Sequence, residues 1–391
     1  MNFEVKNTPI LISEFSKVLI QWHHQHGRQN LPWQNNRDPY AVWVSEIMLQ
    51  QTQVATVLER YPRFMKHFPS ISILADAEID EVLAEWSGLG YYSRARNLHA
   101  CAKQVMGIYS GKFPNDPLLL AELKGIGRST AGAIAAFAFK NRTPILDANV
   151  KRVLARIFGV EGFIQEKSVN EKLWELAQSL LPADNKVMPI YTQALMDFGA
   201  TWCTSRKPVC LTTLKKCPYM DVCHARLSNR VLDLPARLKK IKSPEFECQM
   251  GLIRKGNFVL LKKRPDKAIW GGLWSLPESL WSPKMYEKNE EDVFMSINKL
   301  FDLVIPAEKV PKAWLKSSNG SVIKGPKIKH VFSHRRLWMQ IWELHVIEPF
   351  NVSKMGLAWV SLRQLGKFGL PQPIKLLLEG LSLVRDDDLK N

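Results

Sequence analysis

One carboxylate stands in an otherwise apolar run: Glu46, within WVSEIMLQQTQV, residues 43 to 54. Val42, Trp43, Ile47, Met48, Val54, Val57 and Leu58 approximate a 3.6-residue period, and the polar residues that follow the acid, Gln50, Gln51 and Gln53, cannot neutralise it. A carboxyl against an apolar wall stays protonated toward neutral pH and can act as a general acid. The plain alternative is a solvated helix face carrying one Glu. A second carboxylate, Asp147, immediately precedes a helical pattern with Val150, Val153, Leu154 and Ile157 on one face. As an N-cap it accepts from first-turn amides, which together with the helix dipole favour its ionised form. A proton donor and a fixed negative charge beside a developing cation form a useful pair.

Four of the six cysteines, Cys203, Cys210, Cys217 and Cys223, lie in one short stretch with six, six and five residues between them; Cys101 and Cys248 are isolated. Such clustering in a chain without an export signal argues for metal ligation in a reducing compartment rather than for disulfides. Zinc and a four-iron cluster both accept four thiolates, and the spacing does not choose between them. The interleaved Arg206, Lys207, Lys215 and Lys216 suit a loop facing phosphates, or simply a solvated basic loop.

The elements that would carry these groups are helical as far as residue 226. Short breaks interrupt the pattern: LPW, YPRF, SGLGYYS, GKFPNDP, GIGRS and RTPILD. In LKGIGRSTAGAI, residues 123 to 134, Gly125 and Gly127 separate one apolar stretch from a helix opening near Ser129 or Thr130. Glycine backbone and free first-turn amides can approach a phosphate, which suits a sequence-independent grip on DNA; a plain helix–turn–helix connection is the alternative. Residues 227 to 245, with two prolines among basic residues, read as a linker. Beyond it, FECQMGLIRKGNFVLLKKR reads as two strands around Lys255-Gly256-Asn257, LWMQIWELHVI (337 to 347) as another strand, and PIKLLLEGLSLV (373 to 384) as a closing helix. The expectation is an all-α domain over 1 to 226 and an α+β domain over 246 to 385.

The 391 residues allow two or three domains, and 46% hydrophobic content is ample for their cores. The net charge of +17 is spread over the chain: 27 basic and 20 acidic residues up to 230, 27 and 17 beyond. A polyanionic partner is favoured, and a membrane surface is not, since no clustered basic amphipathic segment is present. The first twenty residues read as neither secretory signal nor membrane span.

In LPW (31 to 33), VSEIMLQQTQV (44 to 54), WSGLGYYSRARNL (86 to 98), GIGRSTAGAI (125 to 134), ILDANVKRVLAR (145 to 156), TQALMDFGATWC (192 to 203), WGGLWSLP (270 to 277) and HVFSH (330 to 334), the chain resembles the MutY-type adenine DNA glycosylases of the helix-hairpin-helix superfamily. Two departures stand out. The family's cysteine gaps usually run six, two and five, and its aspartate motif reads Asp-Gly-Asn-Val where this chain has Ala148.

The resemblance implies a multidomain protein: a helix-hairpin-helix glycosylase domain with an iron-sulfur loop, then a MutT-like (Nudix-like) domain. It implies a 4Fe-4S cluster on the four cysteines, with zinc the alternative. Glu46 would protonate a flipped adenine and Asp147 would stabilise the oxocarbenium-like sugar. Trp33 and Gln193 would line the adenine pocket, Gln51 and Tyr91 would wedge into the stack, and Gly125, Gly127, Arg128 and Lys151 would touch DNA phosphates. Related bifunctional enzymes resembling endonuclease III carry a lysine after G-x-G-R, where this chain has Ser129, so base removal without strand cleavage is expected. Phe332, Ser333 and His334 would contact 8-oxoguanine. GGLWSLPESLWSPKMYEKNEED lacks the Nudix hydrolase signature, so the second domain should bind and not hydrolyse. Partners would be duplex DNA with adenine opposite 8-oxoguanine or guanine, and the protein a cytoplasmic, nucleoid-associated bacterial monomer. A bifunctional pyrimidine-lesion glycosylase, a nucleotide hydrolase and a non-catalytic DNA-binding protein are the competing classes.

Overall fold

The computed structural model describes residues 9–34, 37–213, 216–236, 243–284, 300, 322–346, 352 and 356–388. The chain divides into two compact units, one of Met1–Asp76 with Asn97–Lys240, the other of Ala77–Arg96 with Ile241–Asn391. No helix among the described residues is long and apolar enough to cross a membrane. All six cysteines are unpaired with one another.

The first unit is helical. Its elements are α1 (Pro9–His26), α2 (Pro39–Leu49), α3 (Val54–His67), α4 (Ile71–Asp76), α6 (Ser93–Tyr109, entering from the other unit's stretch), α7 (Pro117–Glu122), α8 (Arg128–Phe139), α9 (Ala148–Phe158), α10 (Lys167–Ser179), α11 (Met188–Asp197), α12 (Val209–Thr212) and α13 (His224–Leu227). The stretch read as one helix around Glu46 is two, because the chain breaks at 50–53, where Gln51 takes a left-handed φ of 56°. Asp38 caps α2 by accepting from the Tyr40 amide, and Pro39 presets its first turn. Tyr40 to Ser45, Ile47 and Met48 are all buried, so α2 is wrapped in protein nearly all round.

Helices α7 and α8 form the hairpin expected at GIGRS. Gly125 sits at φ +81° with Asn97 so close that a Cβ would fall 2.7 Å from the Asn97 Cβ, and Gly127 caps α8. Helix α9 buries Val150, Val153, Leu154 and Ile157 and ends at Gly159 in left-handed conformation. The common core gathers Phe15, Leu19 and Trp22 of α1, the apolar face of α9, and Tyr191, Leu195, Phe198 and Trp202. Residues 228–236, expected to open a linker, pack instead: Val231 and Leu234 are buried with Ala225.

Among the described residues the second unit is built on a seven-stranded sheet: β1 (Glu245–Lys255), β2 (Phe258–Lys263), β3 (Trp274–Ser275), β4 (Ser282–Pro283), β5 (Val322–Val331), β6 (Arg336–His345) and β7 (Leu357–Ser361). The path is β3-β2-β1-β6-β5, with β4 on β1 and β7 on β2. Strands β1 and β2 form the hairpin expected at Lys255-Gly256-Asn257, with Gly256 at φ 55°. Strands β1 and β6 run parallel, which no short turn permits. Alternation puts Leu337, Met339 and Ile341 of β6 into a core shared with Leu370, Ile374 and Leu378, the last two from the closing helix α14 (Gln372–Asp388). By their contacts residues 77–96 group with this unit: Tyr92 Oη donates to the Leu370 carbonyl at 3.0 Å, and Lys263 Nζ lies 2.9 Å from Asp80 of α5 (Ile79–Glu85). Residues 285–292 of the stretch lacking the Nudix signature lie outside the described residues.

Candidate active site

A cavity of about 360 Å³ opens in the helical unit, lined by His23, Arg28, Trp33, Ser45, Glu46 and Gln193 among others. That volume is in the range of small-ligand pockets. Three residues nominated from the sequence, Trp33, Glu46 and Gln193, therefore share one wall. Glu46 keeps partial exposure because its carboxyl borders this cavity; protein atoms surround it otherwise. Burial pushes its pKa up to about 8, and the charge of Asp147 adds to the rise.

Asp147 caps α9: its Oδ1 accepts from the Val150 amide at 2.7 Å. The capping motif forms with Ala148 in the first helical position, where the backbone is not left-handed. The expectation that helix amides would dominate its titration needs correction. Burial raises the Asp147 pKa by more than the Val150 and Asn149 amides, Arg152 and the Asn149 side chain together lower it. Asp147 keeps these partners for its carboxylate form, and its charge adds to the rise at Glu46.

Helix α8 sets where Asp147 sits. Ser129 Oγ accepts from the Leu146 amide at 2.9 Å, and a Cβ on Gly132 would fall 2.4 Å from the Pro144 carbonyl oxygen. The segment 144–147 thus lies directly on the helix that follows the hairpin. Thr130 Oγ1 accepts from Gln50 Nε2 at 3.2 Å, tying α8 to the end of α2. Of the nominated phosphate contacts, Arg128 is exposed with its guanidinium 4.0 Å from the Trp174 ring centre. Lys151 is partly desolvated, which lowers its pKa, while the nearby Asp147 charge opposes that.

Two arginines of α9, unnoticed in the sequence, join Asp147's helix to the cysteine stretch. Arg152 Nε donates to the Cys203 carbonyl at 2.9 Å and its Nη2 to Asn149 Oδ1 and the Gly199 carbonyl. Arg156, 1% exposed, donates to the carbonyls of Leu234 and Thr204 at 2.9 and 2.7 Å, and its Nη1 lies 3.5 Å from Cys203 Sγ. Both follow from an i, i+4 spacing on the face opposite α9's apolar stripe, a cue the sequence contains.

The four clustered cysteines act on one another electrostatically. Burial raises the pKa of Cys210, that of Cys217 to about 12 and that of Cys223 to about 11, a cost that a bound cationic centre offsets. Among the described residues, no group of three or more His, Cys, Asp or Glu side chains is arranged to hold a metal ion.

In the second unit, a cavity of about 490 Å³ is lined by Tyr91, Trp270, His330, Phe332, Ser333 and His334, with others of residues 88–96 and 268–271. Four nominated residues meet there. Phe332 is held in an aromatic cluster, 5.1 Å from Trp270 and 4.5 Å from His330 between ring centres, and Ser333 Oγ lies 3.3 Å from His334 Nδ1. Tyr91, 45% exposed, takes a left-handed φ of 48°, as the other nominated wedge, Gln51, does in its own unit. Non-glycine residues hold that conformation at a cost, and it concentrates at functional sites. Arg94 steadies the Tyr91 loop, stacking on the rings of Trp86 and Tyr91 and donating to the carbonyls of Leu89 and Gly90.

A helical hairpin, a cavity lined by one proton-holding carboxyl, and a second carboxylate outside that lining whose charge acts on the first point to the class of helix-hairpin-helix base excision glycosylases. Residues 44–179 match the HhH-GPD superfamily of base excision DNA repair proteins, and residues 249–380 match the NUDIX domain. The chain is 34% identical over 370 residues to the adenine DNA glycosylase of Buchnera aphidicola subsp. Acyrthosiphon pisum, covering 93% of this chain and 97% of that protein. It is 32% identical over 410 residues to the human adenine DNA glycosylase, covering 90% and 70%. Among solved structures, a thermostable thymine-DNA glycosylase matches with a TM-score of 0.50 and 28% identity, covering 56% of this chain and 97% of that one. The chain belongs to the adenine DNA glycosylase family.

Proposed function

We propose that this chain removes adenine mispaired with 8-oxoguanine, or with guanine, by hydrolysing the N-glycosidic bond without cutting the strand. The observation that carries the reading is Glu46, a carboxyl with a pKa of about 8 on the wall of a cavity it shares with Trp33 and Gln193. Extruding adenine into that cavity presents its N7 acceptor to the Glu46 proton, so the base leaves neutral rather than as a poor anion. Asp147, whose carboxylate is held by the Val150 amide, supplies negative charge to the cationic sugar, and Glu46, then ionised, takes a proton from the attacking water. Ser129 is engaged by the Leu146 amide and offers no amine for a Schiff base, which supports the monofunctional reading.

Adenine is an undamaged base, so selectivity needs a reader of the base opposite. The cavity bearing Tyr91, Phe332, Ser333 and His334 is the reader we assign, with the Ser333 and His334 polar atoms meeting the N7 hydrogen and C8 oxygen that set 8-oxoguanine apart. Cys203, Cys210, Cys217 and Cys223 would hold a 4Fe-4S cluster. Both a four-iron centre and zinc accept four thiolates, and the resemblance favours the cluster, with zinc the alternative. Bound there, the cluster would cross-link the 203–223 stretch and its Arg152 and Arg156 contacts.

Single-turnover release from duplexes with adenine opposite 8-oxoguanine or guanine, read with and without alkali, tests this. Breaks appearing only after alkali, and discrimination between the two duplexes weakened in Ser333→Ala/His334→Ala, are expected. Breaks without alkali would move the chain to the bifunctional class, no release at all to the binding-protein class, and unchanged discrimination would remove the two residues from the reader.

A further inference from the structure

At the back of the base cavity a single carboxylate organises three of its lining residues. Asp197, the last residue of α11, has a side chain with no solvent exposure. Its Oδ1 accepts from Arg28 Nε at 2.8 Å, Arg28 Nη2 at 2.6 Å and Gln193 Nε2 at 2.9 Å; its Oδ2 accepts from the Arg28 amide at 2.7 Å and lies 3.2 Å from His23 Nε2. Burial alone would raise the Asp197 pKa, but His23 and Arg28 together hold it below the usual carboxylate range. His23, Arg28 and Gln193 all line the cavity, whereas Asp197 does not.

We propose that Asp197 is the positioning residue that makes this cavity selective for a base with an exocyclic amine. An ionised carboxylate only accepts hydrogen bonds, so the Gln193 atom that faces it must be the amide nitrogen. Gln193 and Asp197 stand one helical turn apart, which keeps the contact within one face of α11. With its nitrogen held, Gln193 offers Oε1 to the cavity as a fixed acceptor. Adenine presents an N6 amine that such an acceptor satisfies, while hypoxanthine, with a carbonyl oxygen at the same place, sets two acceptors against each other. The Glu46 proton goes to N7 of either purine, so Glu46 alone does not separate them. Gly27 permits the arrangement: a Cβ there would fall 2.2 Å from the His23 ring, displacing it from Asp197.

This assignment rests on the adenine-excision reading. The test is single-turnover release of adenine and of hypoxanthine from otherwise identical duplexes by the full chain, Asp197→Ala, Gln193→Leu and the double variant, each checked by thermal melting. Freeing the Gln193 amide to rotate should narrow the adenine-to-hypoxanthine rate ratio by about tenfold, the worth of one hydrogen bond. Gln193→Leu should narrow it to a similar extent, and Asp197→Ala should narrow it no further in the Gln193→Leu background. Equal slowing of both bases by Asp197→Ala would reduce Asp197 to a fold-holding ion pair with Arg28 and overturn the proposal. If Asp197→Ala does not fold, an unchanged ratio in Gln193→Leu overturns it by itself. A parent chain that releases neither base would refute the underlying function instead.

Discussion

Glu46→Gln should abolish base release and at the same time stabilise the protein, by an amount that grows with pH. The Glu46 carboxyl titrates near pH 8 in the folded chain against an ordinary 4.5, so the folded state holds its proton over a window where the unfolded state has lost it. Folding stability from this group is therefore intact below about pH 4.5 and drains away as pH rises to about 8. At about 1.4 kcal/mol per tenfold change in the ionisation equilibrium, the full loss is about 5 kcal/mol above pH 8, and about 3 kcal/mol is already gone at pH 7. A neutral amide of the same shape escapes this penalty, apart from what a repositioned hydrogen bond costs. Denaturant titrations of parent and variant at pH 5, 6, 7 and 8 would measure the difference: small at pH 5, and a few kcal/mol in the variant's favour at pH 7 to 8. A difference that stays flat with pH would mean that the Glu46 carboxyl titrates at an ordinary value, and the general-acid argument would go with it. In the same window, parent base release should fall as pH passes through about 8, because the acid is then ionised before substrate arrives.

Gly132→Ala should cost more in activity than in stability: its new methyl meets the Pro144 carbonyl at 2.4 Å and pushes the segment that ends in Asp147. Overpacking of this kind costs about 1 to 3 kcal/mol, so a variant that folds but releases adenine much more slowly is expected, and parent-like rates would show that the segment yields harmlessly. Arg156→Met should lower the melting temperature and weaken retention of the proposed cluster together, since it strands the buried Leu234 carbonyl at about 1 to 3 kcal/mol and frees the part-buried Thr204 carbonyl. Visible absorption of the purified variant checks the iron, and full absorption with an unchanged melting curve would exclude the link. Asp147→Asn should keep α9 capped, because an amide oxygen can still accept from Val150, while base release falls by about a hundredfold or more. Unchanged release would remove Asp147 from the catalytic pair.

What the sequence determined by itself was local: the periodic burial around Glu46, the cap at Asp147, the hairpin glycines at 125 and 127, and the β1–β2 turn at Gly256. Each depends on residues within a turn or two of one another, where spacing is the physical signal. The helix break at Gln51 went unread because its left-handed φ belongs to a residue type that rarely adopts it. Tertiary structure alone decided the rest. Asp197 meets Arg28 across 169 residues of chain, Arg156 meets Leu234 across 78, and β1 pairs in parallel with β6, none of which leaves a mark in local spacing. The same holds for residues 77–96, whose helical pattern says what they form but not which core they join. The balance at Asp147 is the sharpest case. Its capping amides are local and lower its pKa, while the burial that outweighs them depends on every element packed around it. Residue type and spacing nominated the acids; the desolvation that gives Glu46 its proton near neutral pH exists only once the chain has closed around it.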